Sequence, residues 1–195
     1  TMISGLDALC HLMEAYTSKK ANEFVDGLAV TAIENVVTTL PRLNSIAKEN
    51  DPENLKFRTV LSHASVCGGI ALTFAGLGLA HGVGSVMGGI YKIPHGLACG
   101  ILLPYVIEYN LSVLPEDKIK TIMRIFGVTK PEQIKPALIS WITQLGLPVR
   151  LGDLAGIRPD FLPDIAQRSL PASSTQANPR PATGDDITHL LQQIF

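Results

Sequence analysis

The sequence is short of charge, of cysteine and of strand-like patterning. Charged residues make up 17% of the 195, below the usual quarter of a globular chain. Sixteen basic side chains nearly cancel seventeen acidic ones. No block of one sign occurs, which argues against nucleic acid as a partner. The three cysteines, Cys10, Cys67 and Cys99, are odd in number and far apart. None forms a C-x-x-C pair, so neither a disulfide framework nor a zinc knuckle is expected. Reduced thiols in a cytoplasmic protein are the expectation instead. The opening TMISGLDALC has neither the basic nor the apolar stretch of a secretory leader. No segment alternates Val, Ile and Thr, no Asn-Gly hairpin occurs, and no repeat is visible.

What is present is apolar and helical. Hydrophobic residues reach 46%, ample for a core. The 33 residues between Arg58 and Lys92 carry no formal charge, long enough to span a membrane. Eight glycines, His63 and His81 lie among them, without an aromatic belt or basic flank, so two helices buried in a core fit better than a span. The low charge also suggests that something outside this chain covers part of its surface.

Apolar residues spaced three and four apart predict an all-α fold. Ser4 is the expected N-cap of a helix starting near Gly5, with Asp7 in its first turn. Asn22 to Leu40 forms the next, ended by Pro41. Pro52-Glu53 opens a long helix. Pro94 opens another through Asn110, kinked at Pro104. EDKIKTIMRIF and PEQIKPALISWITQL are closed by Gly127 and Gly146. RPDFLPDIAQRSL is a short helix, Pro171 to Gly184 a loop, and Thr183 with Asp186 caps the last helix. Residues 1–110 are expected to form a core bundle and 111–195 a C-terminal helical cluster.

Asp7 and His11 stand at i and i+4, on one helical face. His81 and His95 are fourteen residues apart, about 21 Å on a straight helix. For them to meet, the chain must turn, and Gly88-Gly89 and Ile93-Pro94 permit it. One carboxylate and three imidazoles suit Fe(II) or Zn(II). A buried histidine that merely completes a core is the commoner case, and the flanking glycines weigh against that. Glu14 shares the Asp7 face and reads as a carboxylate behind the ligands or as an ordinary ion pair. His63 reads as structural, and His189 as near the surface. Leu72 and Phe74 read as pocket wall or as core.

Three stretches resemble the iron-containing (group III) alcohol dehydrogenases. SGLDALCHLMEAY is similar to their metal-ligand helix, GLGLAHGVGSVMGGIYKIPHGLACGILLP to their signature stretch, and NPRPATGDDI to their C-terminal loop and helix start. The resemblance implies the all-helical C-terminal domain of a dehydroquinate-synthase-like enzyme. It also implies that Asp7, His11, His81 and His95 bind the metal. The family's N-terminal α/β domain, which grips NAD or NADP through a glycine-rich loop, is absent from the chain. With the start at Thr1, one turn before the ligand helix, a piece of a longer enzyme is expected, inactive alone. The implied partners are a small alcohol or aldehyde, the nucleotide-binding domain and, when intact, a second copy in a homodimer. Ser174 and Thr175 align with a loop facing the cleft. Ser85 stands where many members carry a histidine by the metal. Its hydroxyl relays a proton but is no base near neutral pH.

The alternatives are a glycerol- or polyol-type zinc dehydrogenase, a helical metal-dependent hydrolase, and a non-enzymatic helical interaction module. His11 speaks against the first. The second would want an extra carboxylate base near the metal, where only Glu14 stands. The third leaves four polar side chains among glycines unexplained.

Overall fold

The computed structural model describes residues 1–46, 52–154 and 156–195. Its helices are α1 (Met2–Thr17), α2 (Glu23–Ser45), α3 (Pro52–Ala75), α4 (Leu79–Tyr91), α5 (His95–Asn110), α6 (Glu116–Phe126), α7 (Ile134–Gln144), α8 (Leu162–Ser169), α9 (Ser173–Ala177) and α10 (Gly184–Ile194). Among the described residues there is no strand, and the fold is the all-α class that the apolar spacing predicts.

α1 lies at the centre of the first half. Leu6, Leu9, Leu12 and Met13 are fully buried, and α1 packs against α2, α3 and α5. α5 is apolar on every side, as a helix enclosed by others must be. Its Cys99, Leu103 and Ile107 join a cluster built with α1, α2, α6 and α7. Its Leu97, Ile101, Leu102 and Val106 face the opposite way, into a cluster with α4, α8 and α10. Each such leucine or isoleucine gains about 1.5–3 kcal/mol by burial, so α5 is the beam on which both clusters hang.

Four local expectations are corrected. Ser4 is not a cap: the helix is already formed at Met2, and Ser4 Oγ donates to the Thr1 carbonyl at 3.1 Å. Asp7 therefore lies in the second turn. Pro41 does not end α2, which runs on to Ser45. A proline withholds the N–H that would serve the carbonyl four residues back, here Val37, and Trp141 Nε1 of α7 donates to that carbonyl instead at 2.9 Å. Gly88 and Gly89 do not make the turn between the histidines; α4 passes straight through them. The reversal comes at Lys92, in the left-handed region at φ 55° and ψ 32°, followed by Ile93 and Pro94. The stretch from Pro171 to Gly184 is not all loop, since α9 lies within it.

Other signals hold. α2 starts where expected, directly after Asn22, and the structure adds a cap there: Asn22 Oδ1 accepts from Val25 N at 3.1 Å. Gly127 and Gly146 take positive φ after α6 and α7. Thr183 and Asp186 form a reciprocal cap on α10. The uncharged run is bent by 107° between α3 and α4, and no single described helix is long and apolar enough to cross a membrane. Cys10, Cys67 and Cys99 are free and buried.

Candidate metal centre

Three helices meet at one point. α1 brings Asp7 and His11 on adjacent turns, α4 brings His81 from its first turn, and α5 starts with His95. Gly96 allows the approach of α5 to α1: a Cβ there would lie 2.6 Å from the Ile3 carbonyl oxygen and 2.7 Å from Asp7 Cβ. Gly84 does the same for α4 on α5, where a Cβ would stand 2.8 Å from Cys99 Sγ.

The result brings together all four side chains singled out in the sequence. Asp7 Oδ1 lies 3.8 Å from His81 Nε2 and 3.9 Å from His95 Nε2, and Asp7 Oδ2 lies 3.9 Å from His11 Nε2. The His11 and His81 rings stack at 4.7 Å between centroids, and His81 and His95 are 5.3 Å apart. Donors bound to one tetrahedral ion at about 2.0–2.2 Å stand roughly 3.3–3.6 Å from each other. The three separations from Asp7 exceed that range by a few tenths of an ångström. The electrostatics agree. Asp7 Oδ1 and His81 Nε2 are buried and have no hydrogen-bond partner among the described residues, a state that costs about 1–3 kcal/mol per atom and that a cation between them would relieve. Burial, with His81 close by, lowers the His11 pKa, partly offset by Asp7. The neutral, ligating imidazole is thereby favoured.

Behind the donors, Glu14 is 2% exposed. Its Oε2 accepts from His81 Nδ1 at 2.6 Å and from Gly78 N at 3.0 Å, and its Oε1 accepts from Ala80 N at 2.6 Å. An ordinary surface pair is thus excluded for Glu14. Two residues that the sequence reading did not single out also sit here. Cys99 Sγ is 3.6 Å from His95 Nε2, and one ligand atom each from Cys99, Asp7, His81 and His95 all lie within 4.8 Å of one another. Its i, i+4 relation to His95 was the available signal. Burial, with Glu14 and Asp7 adding to it, pushes the Cys99 thiol pKa far up. Asn178 is fully buried. Its Oδ1 accepts from Leu79 N at 3.1 Å and its amide pairs with Asn110; only tertiary structure brings it to the start of α4.

The remaining candidates fall outside this cluster. Ser85 is exposed, one turn beyond His81 on α4. His63 is exposed beside Cys67 on α3 rather than enclosed, because Leu61 and Ala64 take the inward positions. His189 is exposed, as expected. Phe74 is 58% exposed and packs edge-on against Phe24 at 5.4 Å, so it is not core. Leu72 and Ser174 are half-buried, and Thr175 is buried against Gly82.

A model of the Fe-containing alcohol dehydrogenase family, C-terminal part, matches residues 1–195. The chain is similar to 1,3-propanediol dehydrogenase of Citrobacter freundii, 33% identical over 203 residues that cover 100% of this chain and 51% of that protein. It is similar to NAD-dependent methanol dehydrogenase of Bacillus methanolicus, 28% identical, with 100% and 51% covered. Its fold matches that of an alcohol dehydrogenase from Oenococcus oeni with a TM-score of 0.89 at 28% identity, over 100% of this chain and 51% of the other. The chain spans about half the length of the relatives it matches.

Proposed function

This chain belongs to the iron-containing alcohol dehydrogenase family, and from that membership we propose that residues 1–195 are the metal-binding half of an enzyme interconverting a small alcohol with its aldehyde or ketone. Asp7, His11, His81 and His95 hold a divalent ion, Fe(II) or Zn(II). The observation that carries this reading is the pair of buried, unpartnered atoms, Asp7 Oδ1 and His81 Nε2, 3.8 Å apart. When bound, the ion supplies Lewis acidity to a substrate oxygen and NAD or NADP supplies the hydride chemistry.

The chain's own residues orient the reacting oxygen and carry its proton. His95, 46% exposed in its side chain, forms the open side of the centre, from which substrate enters. Ser85, exposed on the same helix as His81, relays the proton to water. The nicotinamide comes from an α/β domain supplied by the other half of the longer protein, which also covers the exposed Val66, Ile70 and Phe74 of α3.

Titration of the metal-stripped chain with Zn(II) tests the centre. We expect one tight site, weakened at least about tenfold by His95→Ala with helix content unchanged by circular dichroism. Unchanged affinity in that variant removes His95 from the site. A second assay mixes the chain with NAD, metal and short alcohols. No reduced cofactor should form, because holding reactants in register contributes roughly 7–11 kcal/mol and among the described residues no strand leads through a glycine-rich loop into a helix. Turnover would put the nicotinamide site within these 195 residues.

A further inference from the structure

We propose that Glu14 is a positioning residue for the metal centre: its buried carboxylate locks His81 in the Nδ1–H tautomer and so aims the Nε2 lone pair at Asp7. The inference rests on the reading of Asp7 and His81 as ligands. A neutral imidazole has one N–H and one lone pair. His81 Nδ1 faces Glu14 Oε2 at 2.6 Å. That oxygen also accepts from the backbone N–H groups of Gly78 and His81, at 3.0 and 3.3 Å. A carboxylate oxygen offers no proton, so Nδ1 is the donor. Nε2 is then the acceptor, and it is the atom left without a partner beside Asp7 Oδ1. Ring and backbone of the same residue are gripped by one group, from 67 residues away in sequence.

The grip includes the end of a helix. α4 begins after Gly78, which has no side chain to cap it. Glu14 answers the N–H groups of Gly78, Ala80 and His81 from across the core. A negative charge at a helix N-terminus is favourable, and a buried charge is tolerated when it is fully hydrogen-bonded. The carboxylate is therefore paired without a basic side chain. Asn178 supplies a separate tie to the same helix end through Leu79 N and touches no ring nitrogen of His81. Glu14 and Asn178 thus divide two tasks: both hold α4, and Glu14 alone sets the imidazole.

Long-range proton–nitrogen NMR on the metal-free chain reads the tautomer directly and needs no variant. The Nδ1–H form of His81 is expected, and the Nε2–H form would overturn the proposal. Zinc titration against a competing chelator supplies the second readout. Glu14→Gln should bind Zn(II) about 10–100-fold more weakly, whereas Asn178→Ala, which loosens the same helix end but frees no ring nitrogen, should melt earlier and lose less affinity than Glu14→Gln. Wild-type affinity in Glu14→Gln, or an equal loss in both variants, overturns the role, the second because it would trace the loss to the helix end alone. If the wild-type chain binds no zinc, the proposed metal centre fails, while the tautomer still decides on Glu14.

Discussion

At the contact of α2 with α7, Pro41 leaves the Val37 carbonyl without its helical donor, and Trp141 Nε1 fills the vacancy at 2.9 Å. At the junction of α1, α4 and α5, Asp7 Oδ1 and His81 Nε2 stand 3.8 Å apart, buried, and nothing among the described residues fills either. Both places began with unmet polar atoms. In the first, a large side chain closes the gap and α2 gains length. In the second, glycine contacts draw three helices together, and the polar atoms stay open toward a common point. Two orphans at about 1–3 kcal/mol each are a large share of a typical net stability of about 5–15 kcal/mol. On the proposed reading the α1–α4–α5 junction holds a ligand, whereas the α2–α7 contact is closed by the fold itself.

The largest expected effect breaks the junction alone. His81→Ala removes the central imidazole, which faces Asp7 and Glu14 at once. Zinc affinity should fall by more than about 100-fold, beyond what loss of an outer hydrogen bond produces, with helix content intact. Calorimetric titration checks it, and a variant that still binds tightly would leave the junction without its central donor. Next is Gly96→Ala, which strikes both functions. The new Cβ meets the Ile3 carbonyl and Asp7 Cβ, so α5 must shift at a cost of about 1–3 kcal/mol. Melting temperature and zinc affinity should fall together; a fall in one alone would separate packing from ligand placement at this contact.

Trp141→Phe sharpens the contrast from the other side. It leaves the Val37 carbonyl unpaired beside Pro41, for about 1–2 kcal/mol. The variant should melt earlier and bind zinc as the wild type does. A change in affinity would mean that the α2–α7 contact supports the metal centre as well.

The two regions were not equally legible. The i, i+4 spacing of Asp7 and His11 is local, so the sequence alone puts them on one face. His81 and His95 were recognisable as candidate donors by their glycine and proline neighbours, and Ile93-Pro94 do lie in the turn between them, but its left-handed residue is Lys92 and not Gly88-Gly89. A lysine in the left-handed region is rare, and glycine is the safer reading. The continuation of α2 through Pro41 was invisible because the compensating donor, Trp141, lies 104 positions from Val37. The same distance problem hid Asn178, which reaches Leu79 over 99 positions. Glu14 could be placed on the right face but not given its partners, since α4 arrives only in three dimensions. Periodicity reports which side of a helix is buried; it is silent on which carbonyl or ring waits there.

The smallest effect is expected far from the junction, at the start of α10, where the polar atoms are matched within four residues. Thr183 Oγ1 accepts from Asp186 N at 3.1 Å, and Thr183 N donates to Asp186 Oδ2 at 2.9 Å. Thr183→Ala should cost about 1 kcal/mol, the usual worth of an N-cap, and leave zinc affinity untouched. The Thr183 side-chain hydrogen bond, followed by the Thr183 backbone donor, holds the Asp186 carboxyl below its ordinary pKa. A carboxyl depressed on folding adds stability above its unfolded pKa, about 3.9, and loses it as pH falls through the lower folded value. Thr183→Ala removes the side-chain part of that depression, so the gap in melting temperature between wild type and variant should be widest near neutral pH. In acid it should narrow, as the pH falls below the unfolded value and through the lowered folded one and Asp186 takes up its proton. It should not vanish, because the Oγ1 contact to Asp186 N needs no charge. A gap of the same size at both pH values would show that the hydroxyl acts as a neutral cap only, and that the carboxylate adds nothing to the start of α10.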